Sequence, residues 1–332
     1  MAKIKDTDYL FLSARIRTLE RRLLTRERME RMLDASSVTD AAKVLQECGY
    51  PEIEEVNGSS IDHMLAEVRQ RTFEDLYLFA PDKSIIDVFK IKYDYHNAKV
   101  LLKSEALGID AQRLLMDQGR VPAQQLAEGI RASDLRGLPG GLQEAIVQAR
   151  ETLGSTRDPQ LSDFVLDRAY FQDMLKLAKE AGSDFLAGYV RIQIDATNLK
   201  SLVRTMRMGK DADFLRGILF SGGNIDVSRI LNAMNSGASI AELYQTSVFR
   251  EAAEAGTAAS SGGSLTRFEK LCDDAVMAYV GDAKYVTFGE APLVAYLAAR
   301  ESEMTAVRII LTGRLAGLET ETIRERLREA YV

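Results

Sequence analysis

Apolar residues recur every three or four positions along most of the chain, and strand-like alternation is confined to short ambiguous runs such as 283–287. The pattern predicts a succession of helices. Leu10, Ala14, Leu19, Leu23 and Leu24 place one or two amphipathic helices between Asp8 and Ala35. Ser36, Ser37 and Thr39 offer caps for a short helix closed at Gly49-Tyr50-Pro51. Ser59-Ser60 opens a helix through Met64, Leu65, Val68, Phe73 and Leu76, which Ala80-Pro81 breaks. Further helices are expected from Asp82, around Leu126 and Ile130, from Leu142 to Leu153, and from Asp158-Pro159 to Gly182, with Ser183 capping the next. Beyond Ile230 and Leu231, the small polar residues of 254–264 read as an exposed flexible loop. Helices from Leu265 to Tyr279, from Glu290-Ala-Pro292, and around Ile323 and Leu327 complete an all-α chain.

One helical stretch occurs twice. Ile91-Lys-Tyr-Asp94-Tyr-His96-Asn97-Ala-Lys99-Val-Leu101-Leu-Lys103 returns 101 positions later as Ile192-Gln-Ile-Asp195-Ala-Thr-Asn198-Leu-Lys200-Ser-Leu202-Val-Arg204, with five of thirteen positions identical. Unrelated segments of ordinary composition would share about one. At 100° per residue Ile91, Tyr95, Ala98 and Leu102 form an apolar stripe, with Asp94 about 60° to one side of Ile91 and Lys99 about 80° to the other. A looser third copy carries Glu303 for the acid and Arg308 for the base, with Ala306 in place of the asparagine. A weak fourth alignment sets Arg15 against Lys99 and Ser36-Ser37-Val38 against Gly119-Arg120-Val121, with Leu10 where the acid should be. The expected boundaries are 1–80 for an N-terminal helical unit, 81–181 and 182–281 for the two strong repeats, and 282–332 for closing C-terminal helices.

Asp94, Asn97, Lys99, Asp195, Asn198, Lys200, Glu303 and Arg308 are the polar constellation that the chain itself repeats. An acid and a base flanking a repeated apolar stripe are expected to pair with neighbouring helices and set their register, with partner contact as the second reading. Asp94→Ala should then lower stability without abolishing chemistry.

Composition narrows the function. Hydrophobic residues make up 46% and charged residues 28% of 332, with six prolines, which describes a helix-rich globular chain of two or three units. A net charge of −6 argues against a bulk nucleic-acid surface. Cys48 and Cys272 lack any CxxC or CxxH spacing, and His63 and His96 stand on different predicted helices without a paired ligand. No GxxxxGK[ST] cradle exists, and Gly222-Gly223 and Gly262-Gly263 read as turns or linkers. Asp273-Asp274 lacks a third acid one turn later, since Met277 and Ala278 stand there, so it offers a divalent cation too few oxygens. These motifs give a metal site or a phosphate cradle no support, and leave an all-α enzyme as the weakest reading. The N-terminus lacks an apolar core for a signal peptide, and no apolar run reaches 18 residues, which predicts a cytoplasmic chain without direct membrane insertion.

The closing segment is the most distinctive: Tyr285-Val-Thr-Phe288-Gly289-Glu290-Ala-Pro-Leu-Val-Ala-Tyr296 through Glu301, Glu303, Arg308-Ile-Ile-Leu-Thr-Gly313-Arg314, Ile323-Arg324 and Tyr331-Val332. With the repeated helix, it resembles the C subunit of V-type and archaeal-type rotary ATPases, homologous to the eukaryotic d subunit, over essentially the whole chain. The resemblance implies three similar helical units in a pseudo-threefold funnel. It also implies a non-catalytic central-stalk role between the rotor shaft (D- and F-type subunits) and the membrane proteolipid ring, peripheral to the cytoplasmic membrane, without cofactor or nucleic acid. The alternative from another class is a helical-repeat adaptor unrelated to rotary ATPases.

Overall fold

The computed structural model describes residues 4–332. Among them every regular element is helical: α1 (Leu10–Glu20), α2 (Arg26–Asp34), α3 (Val38–Val44), α4 (Gly58–Phe79), α5 (Ser84–Leu107), α6 (Ala123–Ala132), α7 (Gly140–Thr156), α8 (Pro159–Ala181), α9 (Asp184–Arg207), α10 (Ala212–Ile218), α11 (Val227–Ser236), α12 (Ile240–Leu243), α13 (Arg250–Ser260), α14 (Leu265–Gly281), α15 (Glu290–Leu315) and α16 (Thr320–Arg324). Contacts divide the chain into two compact units, one of Met1–Pro81 with Arg191–Val332 and one of Asp82–Val190.

Polar residues fix where the helices begin. Ser37 accepts the Asp40 N–H ahead of α3, and Ser183 accepts that of Leu186 near the start of α9. The α4 cap is Asn57, not the Ser59-Ser60 pair: Asn57 Oδ1 accepts the Ser60 N–H while the Ser60 hydroxyl accepts the Asn57 N–H. This reciprocal pairing satisfies two otherwise orphaned donors.

In the unit of 82–190, α5 packs mainly on α8, and α8 on α7. Tyr95, Ala98 and Leu102 of the predicted stripe meet Leu126, Ile130, Leu142, Ile146 and Leu166 in one core. In the other unit a core joins both ends of the chain, from Leu24, Met32, Leu45, Ile61 and Leu65 to Val307, Ile310, Leu311 and Ile323. Seven consecutive residues of α15, Leu293 to Ala299, are buried. That first part of α15, buried all round, lies inside its unit and not on its surface.

One further expectation is corrected, and one ambiguous run is resolved. The 254–264 stretch is not a flexible loop: α13 runs through most of it, and only the turn beyond Ser260 matches the reading. Its small residues form a packing face, with Ala252, Ala253, Gly256 and Ala259 buried against α14. A methyl on Gly256 would lie 2.9 Å from Val203 Cγ2 and 3.0 Å from Phe268 Cε2. Small residues there allow close helix approach, which composition alone cannot distinguish from linker chemistry. The ambiguous 283–287 run forms part of a 3-10 turn, Asp282–Tyr285, followed by irregular chain.

Candidate functional site

The repeated acid does not reach a neighbouring helix. Asp94 is wholly enclosed, and its Oδ1 accepts the backbone N–H of Val121 (3.0 Å), at the turn that enters α6, while Arg120 Nε lies 3.4 Å from Oδ2. Asp195 does the same in its own copy: Oδ1 accepts the Ile225 N–H (3.2 Å), and Oδ2 accepts both the backbone and side-chain N–H of Asn224 (3.0 and 2.9 Å). A buried carboxylate demands donors, and a turn with free N–H groups supplies them where a helix flank cannot. Burial pushes the Asp94 carboxyl up to about 6 against the opposing Val121 N–H and Arg120 guanidinium, and it raises Asp195 likewise.

The repeated asparagine pins the same turn five residues earlier. Asn97 donates to the Met116 carbonyl (2.7 Å) and accepts the Met116 N–H (2.9 Å), so one side-chain amide takes both groups of one residue. Asn198 treats Phe220 identically, at 2.8 and 2.9 Å. The loop leading to the turn is three residues longer in the second copy, yet Met116-to-Val121 and Phe220-to-Ile225 keep the same spacing.

A glycine completes each pin. A methyl on Gly119 would collide with Asp94 Oδ1, and one on Gly223 with Asp195 Oδ1. Gly223 is therefore part of a turn, as expected, but one that must lie against a carboxylate.

The repeated base does reach a neighbouring helix. Lys99 Nζ donates to Asp167 of α8 (2.5 Å), and Lys200 Nζ to Asp273 of α14. One turn along, Lys103 pairs with Asp163 and Arg204 with Glu269, so each copy has two ion-pair rungs to the helix beside it. Asp273 also pairs with Arg328, and Asp274 with Lys270 while accepting the Glu329 N–H, which commits the acidic pair to helix and tail contacts.

The third copy uses both chain ends. Glu303 Oε2 accepts the Leu24 N–H (2.5 Å), Oε1 accepts the Tyr50 hydroxyl (2.6 Å), and Arg300 pairs with it from one turn before. Leu24 thus stands toward Glu303 as Val121 does toward Asp94. Ser36 and Ser37, aligned to that turn in the weak fourth copy, instead bond Asp40 at the start of α3. Arg308 pairs with Asp62 of α4. Ala306 lies in the core among apolar residues and leaves no amide to pin a turn.

The remaining candidates offer little chemistry. Burial pushes the Cys48 and Cys272 thiols up to about 11 and about 12, so both stay protonated. Among the described residues no group of three or more His, Cys, Asp and Glu could hold a metal ion, and no helix is long and apolar enough to cross a membrane. Sequence reasoning missed the turn residues Met116, Gly119, Val121, Phe220, Gly223 and Ile225 as partners. The shared Gly-x-Val/Ile after each copy was the signal that could have found them.

The chain as a whole is similar to known proteins. The C subunit of the V-type sodium ATPase of Enterococcus hirae is 26% identical over 326 residues, covering 98% of this chain and 99% of the relative. The C subunit of the A-type ATP synthase of Methanocaldococcus jannaschii is 25% identical, covering 96% of this chain and 86% of the relative. Its V-type ATP synthase counterpart in Thermus thermophilus is 21% identical, covering 96% and 98%. The family model described as ATP synthase (C/AC39) subunit matches residues 12–326, and the chain belongs to that family.

Proposed function

We propose that this chain is a non-catalytic central-stalk subunit of a V/A-type rotary ATPase, a socket coupling the rotor shaft to the membrane proteolipid ring. The observation that carries this reading is the family match over residues 12–326, joined by relatives named as C subunits along nearly their whole length. Family membership weighs against the adaptor unrelated to rotary ATPases. The partners would be D- and F-type shaft subunits on one side and the proteolipid ring on the other. The chain would sit peripheral to the cytoplasmic membrane and move with ion transport linked to ATP synthesis or hydrolysis.

The repeated pins support the mechanical part of the reading. A torque coupler must not yield between its two loads. In each strong copy Asp and Asn tie a turn to a long helix by buried hydrogen bonds, and Lys ties that helix to the next by an ion pair. Buried, fully satisfied polar networks rigidify and specify one arrangement. We read the eight repeated residues as such ties within three similar units around a pseudo-threefold axis, the third formed by α15 with the N-terminal helices.

Cross-linking mass spectrometry of the assembled complex tests the proposal. Cross-links from this chain to both shaft and ring are expected. Cross-links to the catalytic head alone, or ATP hydrolysis by the purified chain, would contradict it.

A further inference from the structure

A cavity of about 200 Å³ lies where α1, α4, α15 and the Cys48-Gly49 turn meet, within the unit that joins the chain ends. Its charged lining is mostly cationic: Arg22, Arg71 and Arg300, against the single carboxylate of Asp75. That carboxylate is already held by Arg15, whose Nε and Nη2 address both of its oxygens. Arg22 is exposed, and its guanidinium makes no hydrogen bond or ion pair among the described residues. Arg71 pairs only with Glu67, one turn back on its own helix. Arg300 is buried and paired with Glu303, and its Nε has no acceptor.

Tyr296 adds a second kind of donor. It lines the cavity at 5% exposure, and its hydroxyl has no hydrogen-bond partner among the described residues. Buried hydroxyls are ordinarily partnered, and guanidinium groups are the side chains best matched to oxyanions. The wall thus offers several unused N–H and O–H donors and no free carboxylate.

We propose that this cavity binds a phosphate-type oxyanion, with Arg22 and Arg71 supplying charge from the mouth and Tyr296 a hydrogen bond from within. Its volume of about 200 Å³ admits phosphate or the phosphate end of a nucleotide. Such binding is independent of the coupling role: the cavity holds the anion whether or not the chain joins shaft to ring.

Phosphorus-31 line broadening of inorganic phosphate by the purified full chain, at fixed ionic strength, tests it. Saturable broadening is expected, and Arg22→Ala should weaken it about tenfold or more, the scale of one charge-assisted hydrogen bond. Tyr296→Phe should weaken it less, with the melting curve of each variant confirming that the fold is kept. Displacement of phosphate by ATP would assign the site to nucleotide phosphates, and failure of ATP to displace it would assign it to the free anion; both support the oxyanion site. No saturable broadening, or broadening unchanged in Arg22→Ala and Tyr296→Phe, would overturn it.

Discussion

Asp94 is a repeated acid committed to the turn that enters α6, through the Val121 N–H. Its carboxyl is enclosed and raised to about 6 from an ordinary 3.8. The folded state therefore holds the proton more tightly than the unfolded chain. The sign follows: this group's contribution to stability is greatest below about pH 4, falls as pH rises to about 6, and is flat above, a change of about 3 kcal/mol. Asp94→Asn keeps an oxygen for the Val121 N–H and removes the titration. Urea unfolding at pH 4 and pH 7 should show the wild-type stability falling relative to the variant by that order. Asn97→Ala strips both partners from Met116, and should cost about 2–4 kcal/mol in the same measurement because two backbone groups lose their bonds. The acid, amide and base were legible as a repeat because they recur in phase. Their partners were not, because a hydrogen bond to a turn 19 to 30 residues away leaves no periodic trace on the helix.

At the scale of elements, close approach decides what each helix tolerates. Gly223→Ala should destabilise by about 2–4 kcal/mol, because the new methyl must displace a buried carboxylate from its N–H donors. Gly154→Ala, in α7 where a methyl meets nothing, should be neutral or stabilise by up to about 1 kcal/mol. Thermal unfolding of the two variants side by side checks the contrast. Helix existence was legible in α4, α5, α8, α9 and α15, whose long apolar-rich runs lie between capping and breaking residues. The error at α13 has a physical origin: alanine, glycine and serine carry too little apolar signal to mark a buried face, although small size is what that face requires.

At the scale of the molecule, the two ends of the chain are joined inside one unit. Glu303 takes Leu24 and Tyr50, Arg314 takes the carbonyls of Leu33 and Ala35, and Arg324 takes Glu30. Tyr50→Phe should destabilise by about 1–3 kcal/mol, measured by urea unfolding, because one oxygen of a buried carboxylate loses its hydroxyl donor. The third copy is only loosely legible in the sequence, since its helix lies at the C-terminus and its turn at the N-terminus. The proposed link between shaft and ring is tested most directly by ATP-driven ion pumping in membranes whose complex lacks this chain. Pumping should be lost, with the ATP-hydrolysing head and shaft released from a ring that stays in the membrane. Retained pumping with head and shaft still attached would contradict it.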